Sequence, residues 1–468
     1  MFIQQLYTNC LSEAAYYIES NKEALVIDPL RDVEMYIHLA EERGATIKYI
    51  LETHFHADFV SGHLDLSRKT GAPIVYGPGT ETAFPIYKAA DGETFRIGDV
   101  SLEVLHTPGH TIESTCYLLK DEQGAPHALF TGDTLFVGDV GRPDLSSGSL
   151  SKEELAGMLY DSLAEKVLPL PDSVIIYPAH GPGSSCGKNL GPHTHSTLGE
   201  EKATNYALQP QDKETFIKAV TEGLSAPPQY FPVNARINKE GYESLEKVMH
   251  ESLQPLSIAE FKKESTRPGA VILDTRKAPV FTDGFVPGSI NIGLEGRFAE
   301  WAGNLLGFTD PIVLVTDEGM EEESILRLAR VGFENVSGYL QGGFDAWKAA
   351  GQPIDMIINV TPYELALDIP FDENLVVVDV RKEIEFGGGH VKGAENIPLE
   401  TLSDPGSMAY LEENQNIYVH CAGGYRSVIA CSLLKRQGLH NLRNVTGGWT
   451  AIQAEGSIPV VKESAVLN

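Results

Sequence analysis

The sequence predicts a multi-domain α/β protein, and three observations lead there. The chain has 468 residues, enough for roughly three domains at about 150 residues each. Its first half alternates short apolar runs with helical spacing, and several runs open into a loop carrying His or Asp. Its second half repeats itself at a constant offset, each copy reading strand, loop, strand, helix, as in an open, mostly parallel sheet.

Composition narrows the function. Apolar residues make up 42% and charged residues 22%, ordinary for a globular chain. Lys plus Arg is 36 and Asp plus Glu is 65, a net charge of −29. Nucleic-acid and anionic-membrane partners need basic surface, so neither is expected. The five cysteines, Cys10, Cys116, Cys186, Cys421 and Cys431, are odd in number and form no CxxC pair. That disfavours a disulfide framework or zinc knuckle and suits a reducing compartment. The N-terminal residues lack a basic segment followed by an apolar core, and no apolar run approaches the roughly 20 residues of a membrane span. The expectation is a soluble cytoplasmic protein.

Buried strands are expected at 23–28, 49–54, 73–77, 102–106, 116–120, 128–133 and 174–180, with helices at 33–44 and 151–163. The Pro-rich stretch 225–238 reads as a connecting segment before a helix at 242–253. The repeat then pairs 271–292 with 376–397. Asp274 and Asp379, Gly288 and Gly393, and Asn291 and Asn396 all stand 105 residues apart. Domains are therefore expected at 1–250, 256–354 and 358–468. Residues 457–468 read as a loosely held tail.

The strongest chemical signal is ETHFHADFVSGH. His54, His56 and Asp58 alternate just past a strand, followed by His110 in TPGHT, Asp133 in FTGDTLF and His180 in YPAHG. Period-two spacing aims several ligand-type groups at one point, and imidazoles with a carboxylate suit Zn, Fe or Mn. Taken singly, each His is as well explained as a hydrogen-bonded loop residue, the reading kept for His38, His106, His127, His193 and His195. Cys10, Cys116 and Cys431 read as core. Cys186, six residues past His180, is either an inert side chain in a tight loop or a thiol facing the cleft.

The second signal is NIYVHCAGGYRSVIACSLL. Cys421 ends a strand, and the loop Cys421-Ala422-Gly423-Gly424-Tyr425-Arg426 leads into a helix. Loop N–H groups and the helix dipole make an anion nest that stabilises a thiolate. Gly423 and Gly424 let the backbone curl, and Arg426 adds charge. The corresponding stretch of the first copy carries Asp317 opposite Cys421, with Glu318, Glu321, Glu322 and Glu323 beside it. A carboxylate cannot do the chemistry of a thiolate, so that copy is expected to be inactive and to space, dock or orient its neighbours.

The HxHxD…His…Asp…His order resembles the metallo-β-lactamase superfamily, an αββα sandwich, over residues 1 to about 235. The sequence departs at Phe59, where dinuclear hydrolases of that superfamily place a second-metal His. The set left complete, His54, His110 and Asp133, resembles the persulfide dioxygenase branch, with a mononuclear non-haem Fe(II). His56, Asp58 and His180 are then orienting groups. GDTLFVGDVGRPDL adds a GRxD likeness, in which Arg142 either grips a substrate carboxylate or braces its loop on Asp139 or Asp144. The Cys421 loop, with Asp379, Arg381, Glu385 and the NVTGGW segment, resembles the rhodanese sulfurtransferases, and CX4R is one residue shorter than the CX5R loop of related phosphatases. As a whole the chain resembles bacterial persulfide dioxygenase–sulfurtransferase fusions. That implies a sulfide-detoxification enzyme oxidising a thiol persulfide (glutathione, coenzyme A or bacillithiol type) with O2 to sulfite. Catalytic Cys421 and Arg426 would pass sulfur to or from sulfite or thiosulfate. Cys186, Ala422, Gly423, Gly424 and Tyr425 would contact substrate. A homo-oligomer stays open. The alternatives are a glyoxalase-II-like zinc thioesterase and a scaffold in which Cys421 only stores persulfide.

Overall fold

The computed structural model describes residues 1–145, 150–409 and 411–462. Two compact units result: Met1–Val248 with Ala329–Gly332, and Met249–Leu328 with Phe333–Asn468. Among the described residues, no helix is long and apolar enough to cross a membrane.

The first unit holds two six-stranded sheets, each with its strands in chain order. One runs from Phe2–Thr8 to Tyr87–Lys88, the other from Thr94–Ile97 to Ser196–Thr197. Strand periodicity explains the sandwich. Along Glu13–Ser20, Ala14, Tyr16 and Ile18 enter one core together with Phe95, Val104 and Phe130 of the second sheet. Their neighbours Ala15 and Tyr17 face an outer core with Val33, Tyr36 and Leu66 from the helical layer. On the far side, Leu105, Cys116, Leu118 and Leu129 pack against Ala156 and Leu159 of the helix Lys152–Ser162. Alternate residues thus bury on opposite faces, which is why these strands read as near-continuous apolar runs.

Three expectations need correction here. The chain opens with an antiparallel pair, Phe2–Thr8 on Glu13–Ser20, and Cys10 sits half-buried in its turn rather than in the core. The supposed connecting segment contains the helix Phe231–Glu240, whose Pro lies in its first turn, where a missing N–H costs nothing. In the tail, Val460–Val461 pairs with His390–Val391, and residues 463–468 lie outside the described residues.

The second unit contains two five-stranded parallel sheets with the same strand order. From edge to edge the first places Pro255–Leu256, Val336–Leu340, Ile312–Val315, Val271–Asp274 and Ile290–Asn291. The second places Ile358–Val360, Leu442–Val445, Asn416–His420, Leu375–Asp379 and Glu395–Asn396. The 105-residue repeat is thus a repeat of topology. A short two-stranded pair, His390–Val391 with Val460–Val461, adds to the later copy.

Candidate functional site

In the first unit the ligand-type side chains stand just beyond strand ends. Thr46–Leu51 leads to His54, His56 and Asp58, Pro126–Gly132 to Asp133, and Ile175–Pro178 to His180. Ligand atoms of His54, His110 and Asp133 all lie within 4.8 Å of one another. His110 Nε2 is 3.5 Å and His54 Nε2 3.8 Å from Asp133 Oδ2. The opposite ring nitrogens are engaged. His110 Nδ1 meets the Arg142 carbonyl at 2.9 Å and so must donate, leaving the Nε2 lone pair free. His54 Nδ1 lies 2.9 Å from Thr53 Oγ1, which itself donates to Asp28. Burial first, then the neighbouring imidazoles His56, His110 and His180, hold His54 well below the usual histidine range, in its neutral ligand form. Both Asp133 carboxylate oxygens are buried without a hydrogen-bond partner among the described residues. Two oriented imidazoles and an unpartnered buried carboxylate fit a bound cation. The loop that closes over them needs Gly141, because a Cβ there would fall 1.9 Å from the Asp133 carbonyl oxygen.

His56 takes a different direction. Its Nε2 lies 3.1 Å from Asp28 Oδ1 and 3.4 Å from Glu52 Oε2, forming a second buried group. Burial opposes its charge, but Asp28 and Glu52 outweigh that and raise it well above the usual range. Glu52 also faces His63 at 3.2 Å. Phe59 packs its ring 4.4 Å from that of His56. Asn238, on the helix that looked like a linker, donates to the carbonyls of His56 and Phe59 at 2.7 and 2.8 Å and fixes this loop. Sequence reasoning missed Asn238 and His63; a buried Asn on a Pro-started helix was the available signal.

Asp58, His180 and Cys186 form a third buried group with ligand atoms within 4.8 Å. His180 Nε2 is 3.5 Å from both Asp58 and Asp133, so this group adjoins the first. Cys186 therefore stands at the cluster, in the cleft rather than apart from it. Burial, then the charges of Asp58 and Asp133, push its thiol well up.

Of the two readings kept for Arg142, the structure shows the contacts of the loop brace, to Asp144. Arg142 is buried, forks onto Asp144 at 3.0 and 2.7 Å, and donates to the Ser225 carbonyl at 2.6 Å. A guanidinium so occupied braces its loop and offers no free fork. Exposed cations stand elsewhere. A cavity of about 370 Å³ reaching His110 is lined by Phe55, Glu113, Leu145, Arg236 and Lys239. Arg236 and Lys239 sit one turn apart on Phe231–Glu240 and were not anticipated.

In the second unit Cys421 follows directly on the strand Asn416–His420 and Gly424 caps the helix Tyr425–Arg436. The Gly424 N–H points at Cys421 Sγ at 3.1 Å, and Ser427 Oγ lies 3.6 Å from it. Arg426 forks onto Glu385 at 2.7 and 2.9 Å. The Tyr425 hydroxyl donates to the Gly293 carbonyl at 2.7 Å, away from its own loop, so any part it takes at the thiol falls to its backbone. At the matching place of the earlier copy, Asp317 precedes a turn closed by Met320 N–H on its carbonyl at 3.1 Å, and no thiol is present.

Family models match this chain as the metallo-β-lactamase superfamily over residues 8–180 and as the rhodanese-like domain over 257–350 and 361–455. A mouse mitochondrial persulfide dioxygenase, ETHE1, is 32% identical over 47% of this chain and 79% of its own. A probable hydroxyacylglutathione hydrolase of Schizosaccharomyces pombe is 30% identical over 42% of this chain and 81% of its own. The chain belongs to the metallo-β-lactamase superfamily. Two rhodanese-like domains follow its superfamily domain. A metallo-β-lactamase structure from Staphylococcus aureus superposes with a TM-score of 0.64 at 34% identity, covering 73% of this chain and 98% of that one. Other curated relatives, 29% identical, are matched over only 50% of their length.

Proposed function

We propose that the chain oxidises a low-molecular-weight thiol persulfide with O2 to sulfite at a mononuclear Fe(II) held by His54, His110 and Asp133, and moves sulfane sulfur through Cys421. The observation that carries this reading over a two-metal hydrolase is the position of His56. Its Nε2 turns to Asp28 and Glu52, 3.1 and 3.4 Å away, and Phe59 packs on its ring at the sequence position where dinuclear hydrolases of the superfamily carry a His. Of the three buried groups, only that of His54, His110 and Asp133 combines two imidazoles with one carboxylate, the set of non-haem iron oxygenases. When bound, such a metal supplies electrons for O2 and open positions for a sulfur ligand.

The chain's own residues do the rest. Arg142 and Thr53 fix the ring orientations of His110 and His54. Arg236 and Lys239, rather than Arg142, present cations to the carboxylates or phosphates of a thiol carrier in the cavity beside His110. Asp58 and His180 keep a polar wall against the ligand set. In the rhodanese-like part, the Cys421 thiolate attacks the outer sulfur of thiosulfate. A Cys421 persulfide forms, the S–S bond to the sulfonate sulfur breaks, and sulfite leaves with the electron pair. Run backwards, the same step consumes sulfite made at the metal. Carrying both sites on one chain raises the local sulfite concentration.

The other reading, a zinc thioester hydrolase, is favoured by the hydrolase named among the relatives. Metal analysis after anaerobic purification, with oxygen uptake on glutathione persulfide, tests the two. Iron and persulfide-dependent uptake support the proposal; zinc with glutathione thioester cleavage and no uptake overturns it.

A further inference from the structure

The middle copy lacks a thiol, yet it meets the active loop of its sibling along one helix face. The helix Tyr425–Arg436 begins where the Cys421 nest closes. Its Tyr425 hydroxyl donates to the Gly293 carbonyl. One face further on, Ser432 Oγ accepts the Asn291 N–H at 3.1 Å. At the far end Lys435 pairs with Asp355 at 2.8 Å, and Arg436 donates to the Ala270 carbonyl at 3.0 Å. Positions 425, 432 and 436 recur at helical spacing on one side.

The Tyr425 seat is built for a ring. A Cβ on Gly296 would stand 3.3 Å from Tyr425 Cζ, and Gly296 has φ +107°, which disfavours any side chain. A Cβ on Gly293 would stand 3.6 Å from Cε2. At the constant repeat offset these two glycines correspond to Pro398 and Thr401 of the C-terminal copy. Gly296 thus leaves the room that the Tyr425 ring needs, whereas a Cβ on Gly293 would make only ordinary contact with it, and the middle copy carries no side chain at either place. A second tie runs from Ser427, beside the thiol, through Asn444 and Asn359 to Thr282 of the middle copy, at 2.7, 2.9 and 2.8 Å. Between the ties lies a cavity of about 310 Å³, walled by Lys277 and Glu295 of the middle copy and by Gly423 and Gly424 of the loop.

We propose that the thiol-less middle copy is a positioning platform: by seating Tyr425 on Gly293 and Gly296 it holds the Cys421 loop in the shape that aims Gly424 N–H at the sulfur. Tyr425 is a positioning residue. The proposal rests on the sulfurtransferase reading only for its turnover readout.

The test uses the full chain and the variants Tyr425→Phe and Tyr425→Ala. Alkylation of Cys421 by iodoacetamide, followed by peptide mass spectrometry without any sulfur substrate, reads loop shape directly. Sulfur transfer from thiosulfate to cyanide reads turnover. Removing the hydroxyl alone slows both by about two- to fivefold, the scale of one net hydrogen bond, and removing the ring slows both by about tenfold or more, mainly in kcat. Thr361→Ala, which loses only a distant helix cap, lowers thermal stability and leaves alkylation at the wild-type rate. Wild-type alkylation in both Tyr425 variants overturns the platform. Slowed alkylation in a chain that transfers no sulfur in any form keeps the platform and refutes the sulfurtransferase reading instead.

Discussion

In the middle copy Arg276 sends Nε and Nη2 to Asp274 at 2.9 and 2.6 Å and donates to the Gly284 carbonyl at 3.0 Å. In the C-terminal copy Arg381 does the same to Asp379, at 2.9 and 2.5 Å, and to Gly389 at 2.7 Å. Asn291 and Asn396 each donate to two carbonyls of this turn. Phe344 and Trp449 each lie under the guanidinium, 4.4 and 4.5 Å from it. The scaffold that supports the loop is therefore conserved between the copies while the loop is not. Where one has Cys421 and its amide nest, the other has Asp317 and a row of glutamates. Fold and chemistry separate cleanly here: the frame specifies the sheet, and the loop specifies which chemical groups it presents.

The sharpest way to break that contrast is at the thiol. Cys421→Ser should reduce sulfur transfer by at least about a thousandfold, with persulfide-dependent oxygen uptake retained. Asp317→Cys should restore none of it, because a sulfur without the Gly-Gly curl and the N–H aimed at it is an ordinary thiol. Transfer assays on the single and double variants check both statements.

How far this was legible in the sequence follows the same division. The buried strands were readable because both faces are covered, so the residues run apolar without interruption. The duplicated copies were readable because Asp, Gly and Asn recur at one offset. The opening hairpin was not, since Phe2–Thr8 is only partly buried along its whole length and carries no clean alternation. Phe231–Glu240 hid behind its proline. Cys186 was left open between two readings, and only tertiary folding sets it beside Asp58 and His180. The convergence of His54, His110 and Asp133 was suggested by their order, but the turning of His56 toward Asp28 and Glu52 depends on carboxylates whose burial no local pattern announces.

The frames can be compared energetically. Arg276→Ala and Arg381→Ala each strand a fully buried aspartate, and each should cost about 3–5 kcal/mol, read as matched losses in thermal unfolding. Unequal losses would mean that the shared geometry hides different desolvation. Smaller and equally matched effects are expected at the helix caps that open each copy. Ser257 accepts the Glu260 N–H at 3.4 Å and Thr361 the Glu364 N–H at 3.2 Å, each answered by the glutamate on the cap N–H. Ser257→Ala and Thr361→Ala should each cost about 1 kcal/mol in denaturant unfolding.

The smallest effect separates the copies by pH. Arg426 forks onto Glu385, but the matching position of the middle copy is Val280, so the thiol-bearing copy carries this clamp and the middle copy does not. Burial raises the Glu385 carboxyl, but the hydrogen bonds and charge of Arg426 outweigh that and leave it below the ordinary glutamate range. A carboxyl depressed by folding contributes stability above its unfolded pKa and loses it as pH falls through the folded value. The clamp is therefore complete at neutral pH and opens only in acid. Glu385 is half-buried, so its contribution is at most about 1 kcal/mol once solvent screening is allowed for. Acid titration of Cys421 alkylation should show a loss of rate below the ordinary glutamate range that Glu385→Gln removes by already lying at the lower rate near neutrality. Indistinguishable acid profiles for the two proteins would assign the Arg426 fork to packing alone.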